Sequence, residues 1–530
     1  MKKLTFITRT SLLLAFFFAL DKGLAFIKTI LFNKIIGLEG MGIFGAANNI
    51  PDYLSALLSG GALGIAFIPV LREYLDRQGR EEAWELFSRI INLAFIVTGF
   101  FSLVIILLAG PLVRLVIAPG FTPDKQAVTA SLMRLDLVAI LIFSISGLVM
   151  SGLQANQHFF LPALAPILYN LGQIFGVMVL SPGTSLHLGP VHLPAYGMGL
   201  RGIVFGVILG AGLHLLIQVP GLIRYQYRWK PILGLTTAGV RRVLILLGPR
   251  VLTMACIQAY FVARDNLASH YSTTGVGALN LGWTIEQVPE TIIGTAIAVA
   301  MLPSLAEFLD RGRIEDFTRT VNRALRVMLA LGLPAAALLA VGVRPLAQVV
   351  FGYDTARLDL VAACTWAFLF GLVGDCWLEV AVRAFYAQQD TRTPLWAAFL
   401  QAASFVFLSL VLSLKTVFSL VIPLPGISIL VRLPGFGMGL PGIPLAAALT
   451  FTVQALVLLA LLNRRFPGML QVGVTALRAV PAGLLAALLA VGVLHIQPLS
   501  ILPGTLLALA VGGLASLPLI WPELRLLSSL

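Results

Sequence analysis

The sequence predicts an all-α polytopic membrane protein with about 14 transmembrane helices, arranged as two parallel-repeat six-helix lobes plus a C-terminal helix pair. Scarce charge, long apolar runs and an internal repeat support this prediction. The 530 residues are 58% hydrophobic and only 11% charged, with a mean hydropathy of +0.96. Soluble domains carry roughly 25% charged residues. The composition therefore argues against a soluble enzyme, a nucleic-acid binder and a disordered chain.

The apolar runs have the length of membrane helices, since a helix needs about 20 mostly apolar residues to cross a bilayer. Runs such as Ala482–Leu494 lack the alternation that is typical of a membrane β-barrel. The runs between polar or Pro/Gly punctuation predict helices over 5–36, 41–71, 86–117, 127–153, 159–181, 200–223, 240–269, 275–304, 320–343, 358–386, 394–414, 440–462, 473–494 and 502–521.

Two features of the chain indicate its placement in the membrane. The start is similar to a secretory signal, but its apolar pattern continues to Ile36 without a clear small-x-small site, so we expect an uncleaved first helix. With the N-terminus inside, 21 of the 36 lysines and arginines lie on the cytoplasmic side and 8 outside. Cytoplasmic loops are rich in Lys and Arg. We therefore expect a bacterial plasma-membrane protein with both termini cytoplasmic.

An internal repeat divides the chain. Ile68–Arg77 is similar to Leu302–Arg311, and Phe87–Asn92 to Phe317–Asn322. The offset spans six predicted helices, and an even number preserves orientation, which predicts parallel repeats. The predicted domains are an N-terminal lobe over 1–230, a second lobe over 231–465 and a helix pair over 466–530. Transporters bind their substrates between such repeats and alternate access by rocking them.

Ionisable residues inside predicted spans are the candidate binding residues, because each costs ~2.5–3.5 kcal/mol on insertion scales unless it faces a cavity or a partner. The helices that open the two repeats carry most of them. Cations on these helices suit an anionic head group. The candidates from this reasoning are Asp21, Lys22, Lys28, Asp52, Arg264 and Glu286.

Motifs of enzymes and metal sites do not occur in the sequence. There is no Gly-x-x-x-x-Gly-Lys-Ser/Thr loop for ATP and no His-Glu-x-x-His for zinc. The three cysteines are scattered over apolar stretches, which favours neither a disulfide framework nor a metal cluster. We therefore expect no enzymatic activity, no cofactor, no metal and no nucleic-acid partner.

A series of short motifs resembles the MurJ/MviN lipid II flippases of the multidrug/oligosaccharidyl-lipid/polysaccharide exporter superfamily. The motifs follow the family's order over most of the first twelve predicted helices. They are Ile50-Pro51, Gly61-Ala62, Ala66–Leu71, Ala118–Phe121, Pro162–Asn170, Leu302–Leu305 and Gln389–Pro394.

The resemblance implies a fold of fourteen helices and a function. Such a protein moves the undecaprenyl-diphosphate-linked peptidoglycan precursor from the inner to the outer leaflet by alternating access. Lys22 and Lys28 stand where the family has two arginines six apart in its first helix. Ser55 and Thr284 stand where it has arginines in helices 2 and 8. The expected partners are this lipid-linked anionic glycan, membrane lipids, and a membrane potential or ion gradient that drives the cycle.

Three other functions stay open at this point. One is a flippase for another lipid-linked oligosaccharide. Another is a cation-coupled small-molecule exporter of the same superfamily that uses Asp52, Asp265 or Glu286 as its coupling carboxylate. The third is a membrane scaffold that does not transport, although the two lysines retained within the membrane argue against it.

Overall fold

The chain is almost entirely helical in a computed structural model that describes residues 2–58, 62–188, 191–414, 416–424, 427–496 and 499–526. Its α-helices are α1 Lys2–Leu58, α2 Ala62–Arg77, α3 Arg80–Leu112, α4 Pro123–Ala155, α5 Phe160–Phe175, α6 Leu200–Leu216, α7 Val219–Arg224, α8 Ala238–Ser269, α9 Thr273–Pro289, α10 Ala296–Asp310, α11 Ile314–Phe351, α12 Thr355–Leu369, α13 Leu372–Ala387, α14 Arg392–Ser413, α15 Gly442–Arg465, α16 Gly473–Ile496 and α17 Ile501–Leu524.

Short π-helical and extended segments interrupt the helices. The π-helical turns are Val113–Ile117, Gly176–Leu180 and Glu290–Thr295. The strands form two antiparallel hairpins. These strands are β1 Leu186–Leu188, β2 Val191–Leu193, β3 Thr416–Leu424 and β4 Ile427–Pro434. Strands β3 and β4 lie in the Pro- and Gly-containing segment between α14 and α15.

The predicted all-α polytopic class is confirmed. Within the described part of the chain, 11 helices are long and apolar enough to cross a membrane, or up to 12 if α12 and α13, bent by 42°, form one span. The span Leu20–Ala56 joins the first two predicted helices, and α8 is not among the spans. The count of 14 therefore stays a prediction.

The break between the first two predicted helices lies at Gly37. This residue has φ 68° and ψ 178° inside α1, a conformation that is essentially restricted to glycine. The predicted helices ended at 36 and restarted at 41, so the sequence located the break closely. Pro51 lies farther along the same helix, and membrane helices tolerate proline where neighbouring groups satisfy the freed carbonyl.

The chain divides into two compact units, Met1–Thr273 and Thr274–Leu530. Helix α8 belongs to the first unit, where Val240 and Val243 join the apolar core around Phe67 and Phe87. The sequence boundary at residue 230 assigned this segment to the second lobe. The difference arises because the repeat is a property of chain order, whereas a unit is defined by packing. The three predicted domains stay predictions.

Each unit, taken by itself, contains the repeated motif in the same local structure. In the first unit, the proline-containing helix α2 precedes the long helix α3. In the second unit, α10 contains Pro303 and precedes the long helix α11. The apolar core of the second unit surrounds Phe317 and Phe385, which are fully buried. The sequence repeat thus corresponds to a repeated helix–turn–helix element.

The C-terminal helices α16 and α17 pack against each other and against α11. Glu523 of α17 is fully buried and accepts hydrogen bonds from Arg326 of α11 and from Thr475 and Arg478 of α16, at 3.1–3.2 Å. A buried carboxylate is retained when it is paired and hydrogen-bonded. This contact ties the predicted C-terminal pair to the second unit.

Glycines allow α5 and α6 to approach each other closely in the first unit. A Cβ atom on Gly206 would lie 2.6 Å from the Cα atom of Gly176, and one on Gly172 would lie 2.4 Å from the Cα atom of Gly210. Such distances to backbone atoms cannot be relieved by a rotamer change. Small residues at membrane helix interfaces serve this close approach.

Gly206→Ala should therefore destabilise the protein by about 1–3 kcal/mol, because the added methyl group overpacks a backbone contact. The matched control is Gly212→Ala on the same helix, where a Cβ atom meets no atom within 4 Å. Thermal unfolding in detergent should show a lower midpoint for the first variant only. Equal midpoints for both variants would contradict the close packing of α5 and α6.

Candidate functional site

The first unit contains a group of charged side chains around Lys28 of α1. The ammonium of Lys28 interacts electrostatically with the carboxylates of Asp21 and Asp52 and with the ammonium of Lys22. Its Nζ atom also lies 6.0 Å from the centroid of the Tyr169 ring on α5. Lys28 and Asp21 are half-buried, whereas Lys22 and Asp52 are exposed. Four of the predicted site residues therefore belong to one electrostatic group.

The bend in α1 explains how residues distant in sequence share this group. Asp21, Lys22 and Lys28 precede the kink at Gly37, and Asp52 follows it. Lys22 and Lys28 are six residues apart, which corresponds to about 240° around an ideal helix. Their charges nevertheless interact, because long lysine stems extend along the apolar surface.

Asp21 also connects α1 to α5. Its Oδ1 atom accepts a hydrogen bond of 2.8 Å from the side-chain amide of Asn170, which is buried. A neutral donor stabilises the carboxylate without adding a positive charge. Asp21 is thereby held beside the two lysines, so Asp21, Lys22, Lys28 and Asp52 form one group of oppositely charged side chains.

Asp136 of α4 is a member of the site that the sequence analysis missed. Its side chain is 2% exposed, and its charge interacts with that of Asp52. Tyr169 interacts with both carboxylates. The available signal was an acidic residue in the middle of an apolar span, which by default indicates a functional residue.

Arg264 of α8 lies in a separate buried cluster of the first unit. Its Nε and Nη2 atoms lie 2.9 Å and 2.8 Å from Oδ1 of Asp265, and both side chains are about 3% exposed or less. Asn49 of α1 donates a hydrogen bond of 2.9 Å to Oδ2 of Asp265. The positive charge of Arg264 is therefore balanced by the adjacent carboxylate.

Three further predicted residues occupy different positions. Ser55 is half-buried on α1. Thr284 of α9 is also half-buried and donates a hydrogen bond of 2.8 Å to the carbonyl oxygen of Asn280, within its own helix. Glu286 is buried on the same helix of the second unit, beside a polar cavity described below. The role of every predicted site residue stays a prediction.

The chemistry of the Lys28 group suits an anion that carries more than one negative charge. A lysine ammonium is a compact charge with three donors, and lysine is a common phosphate ligand. Two such cations on one membrane helix can bind a diphosphate. Asp21 and Asp52 then compensate the lysines when no anion is bound. Among the described residues, no group of His, Cys, Asp and Glu has an arrangement that could hold a metal ion.

Comparison with known proteins relates the chain to one family. Residues 32–512 match the family described as "Lipid II flippase MurJ", which is most of the chain. The chain belongs to this family. The match begins within α1 and ends within α17, so it includes most helices of both units, and the predicted resemblance is confirmed.

Individual relatives support the assignment. The chain is 28% identical over 382 residues to "Lipid II flippase MurJ" of Burkholderia cenocepacia, an alignment covering 69% of this chain and 72% of that protein. It is 24% identical over 429 residues to "Probable lipid II flippase MurJ" of Bdellovibrio bacteriovorus, which covers 80% of this chain and 76% of the relative.

Solved structures support the fold. A structure described as "Lipid II flippase MurJ, inward closed conformation" matches with a TM-score of 0.75 and 19% identity, covering 97% of this chain and 99% of that one. An inward-facing multidrug resistance MATE transporter of the MOP superfamily matches with a TM-score of 0.67 and 13% identity, covering 85% and 96%. The MurJ family fold therefore applies to both units.

Asp265→Asn should lower the free energy of unfolding by about 3–5 kcal/mol, because it leaves the buried guanidinium of Arg264 without a compensating charge. The matched control is Asp359→Asn, which removes the partner of Arg344 from a pair 49% and 59% exposed. Exposed pairs contribute about 0–1 kcal/mol. Denaturant unfolding in detergent measures the difference, and similar losses in both variants would exclude a structural role for the Arg264–Asp265 pair.

Proposed function

We propose that this MurJ family member moves lipid II, the undecaprenyl-diphosphate-linked peptidoglycan precursor, from the inner to the outer leaflet of the bacterial plasma membrane by alternating access. Family membership supports the substrate class. The polytopic helical fold supports a route through the bilayer. The protein then acts as a transporter and not as an enzyme.

The observation that carries the proposal is the interaction of Lys28 with Lys22, Asp21 and Asp52 in the first unit. In the empty state the carboxylates balance the ammonium groups. When the diphosphate arrives, its oxygens accept hydrogen bonds from the ammonium groups and the carboxylates lose part of their attraction. This exchange of partners limits the desolvation cost of binding, since the lysines are compensated before and after. The polyprenyl chain stays in the lipid.

The energy source is an ion gradient or the membrane potential in this proposal. The sequence contains no Walker-type nucleotide motif. A net charge moving through the bilayer couples to the potential with about 2.3 kcal/mol per elementary charge and 100 mV. The distribution of lysine and arginine together supports cytoplasmic termini, which would place the loops rich in arginine where the precursor is made.

Lys22→Ala combined with Lys28→Ala should abolish growth when it replaces the flippase of a depleted bacterial strain, because the diphosphate loses both ammonium ligands. Lys22→Arg combined with Lys28→Arg should retain growth, since the charges remain. Lys34→Ala is the matched control, because Lys34 is an exposed lysine of the same helix. Immunoblots of the membrane fraction check insertion of each variant. Normal growth of the double alanine variant, once inserted, would exclude this binding role.

Native mass spectrometry of the purified protein tests the substrate directly. We expect co-purified lipid II, and we expect less of it from the double alanine variant than from the Lys34→Ala control. Retention of a different polyprenyl-diphosphate glycan, with lipid II absent, would contradict the substrate while supporting the diphosphate site. Equal retention by all variants would contradict the site.

A further inference from the structure

The second unit contains a polar cavity that the proposed substrate site does not use. It has a volume of about 310 Å³ and lies between α9, the π-helical turn Glu290–Thr295 and α13. Four carboxyl groups line it, from Glu286, Glu290, Asp375 and Glu379. π-Helical turns in α-helices occur frequently at functional sites. The cavity is thus lined by an irregular stretch of backbone and by four carboxyl groups.

Positive charge in this cavity is insufficient for four carboxylates. Arg383 forms an ion pair of 2.5 Å with Oε2 of Glu379. The hydroxyl of Thr295 lies 3.0 Å from Oε1 of Glu290 and 3.2 Å from Oε2 of Glu379, but it has one hydrogen to donate. The hydroxyl of Thr291 lies 3.4 Å from Oε2 of Glu290. One arginine and two hydroxyls therefore serve Glu290 and Glu379, and none of them contacts the other two carboxyls.

Glu286 and Asp375 form the buried end of the cavity. Glu286 is 1% exposed, and neither of its carboxylate oxygens receives a hydrogen bond from a donor in the described part of the chain. Oδ1 of Asp375 is also buried without a donor there. Both side chains line the same cavity from α9 and α13, and their carboxyl groups interact with each other.

Two adjacent carboxylates cannot both stay ionised when they are buried without a cation. The charged groups that interact with them are Glu290 on the π-helical turn and Glu379 on α13, both acidic. Arg383, the basic group that interacts with these acids, is already paired with Glu379. Around them, Trp283 of α9 and Phe451 of α15 line the cavity, and Cys376 of α13 is buried beside the acids. Neither aromatic side chain supplies a positive charge.

We propose that Glu286 and Asp375 share one exchangeable proton and that this carboxyl pair is a proton-binding site of the transporter. With the proton bound, an O–H group of one residue donates to the other carboxylate. Release breaks that O–H bond and transfers the proton to water in the cavity, which leaves two carboxylates. Their repulsion then favours separation of α9 from α13, so proton binding biases the packing of these two helices.

The first unit contains a related pair. Asp52 lies on the second predicted helix and Asp136 on the fourth, and their charges interact. Glu286 and Asp375 lie on the second and fourth predicted helices of the second repeat. In the first unit Lys28 supplies a neighbouring positive charge, whereas the buried pair of the second unit has none among the groups named above. This difference favours a proton at the second pair.

Infrared difference spectroscopy of the purified full-length protein in nanodiscs tests the site without lipid II, so the result does not depend on the proposed substrate. Raising the pH should remove a protonated-carboxyl band from the wild-type spectrum. The double variant Glu286→Gln and Asp375→Asn should lose the part of this band that comes from the pair, because the amides keep the shape and do not titrate. The matched control is Glu315→Gln combined with Asp359→Asn at side chains 86% and 59% exposed, which should retain it.

Three results would overturn the proposal. One is a wild-type spectrum with no titrating carboxyl band over the pH range in which the protein stays folded, a result that needs no variant. Another is a titrating band of the same intensity in the double variant as in the wild type. The third is loss of the band at constant pH when NaCl replaces choline chloride, which would assign the cavity to sodium.

Discussion

The cost of placing charge in hydrocarbon is the constraint on which the rest of this structure depends. An ionised group in a membrane span is stable only with a partner, a proton or water. Described buried ion pairs follow this rule, as in Arg264 with Asp265 and in Glu523 with two arginines. The candidate sites are those where the charge of an ionisable group is only partly compensated, or where its compensating partner can be exchanged.

The two units satisfy this constraint differently. Around Lys28, lysines and carboxylates lie together. In the proposed mechanism, an incoming anion replaces a carboxylate as the partner of a lysine. Around Glu286, four carboxyl groups line the cavity, and Arg383 pairs with one of them. The two proposals therefore assign opposite ligand charges to the same duplicated helix order, an anion in the first unit and a proton in the second.

Backbone features place these charges. The kink at Gly37 separates the part of α1 that carries both lysines from the part that carries Asp52. In the second unit a Cβ atom on Gly294 would lie 3.0 Å from Oε1 of Glu290 and 3.1 Å from Sγ of Cys376. A glycine at this position therefore permits the acidic faces of the π-helical turn and α13 to approach. Glycines, which carry no functional side chain, thus allow these charged groups to lie close together.

The sequence by itself determined the class of protein, the course of most helices, the break near residue 36 and the family. These are properties of composition, apolar run length and motif order, which are local along the chain. It also identified Lys22, Lys28, Asp21 and Asp52, because an ionisable residue in an apolar run is visible without a structure. Tertiary structure decided the partners: Asp136 beside Asp52, Asp265 against Arg264, and Asp375 against Glu286. It also placed α8 in the first unit. Which charges become neighbours depends on how helices far apart in sequence pack and rotate, and apolar periodicity does not encode that choice.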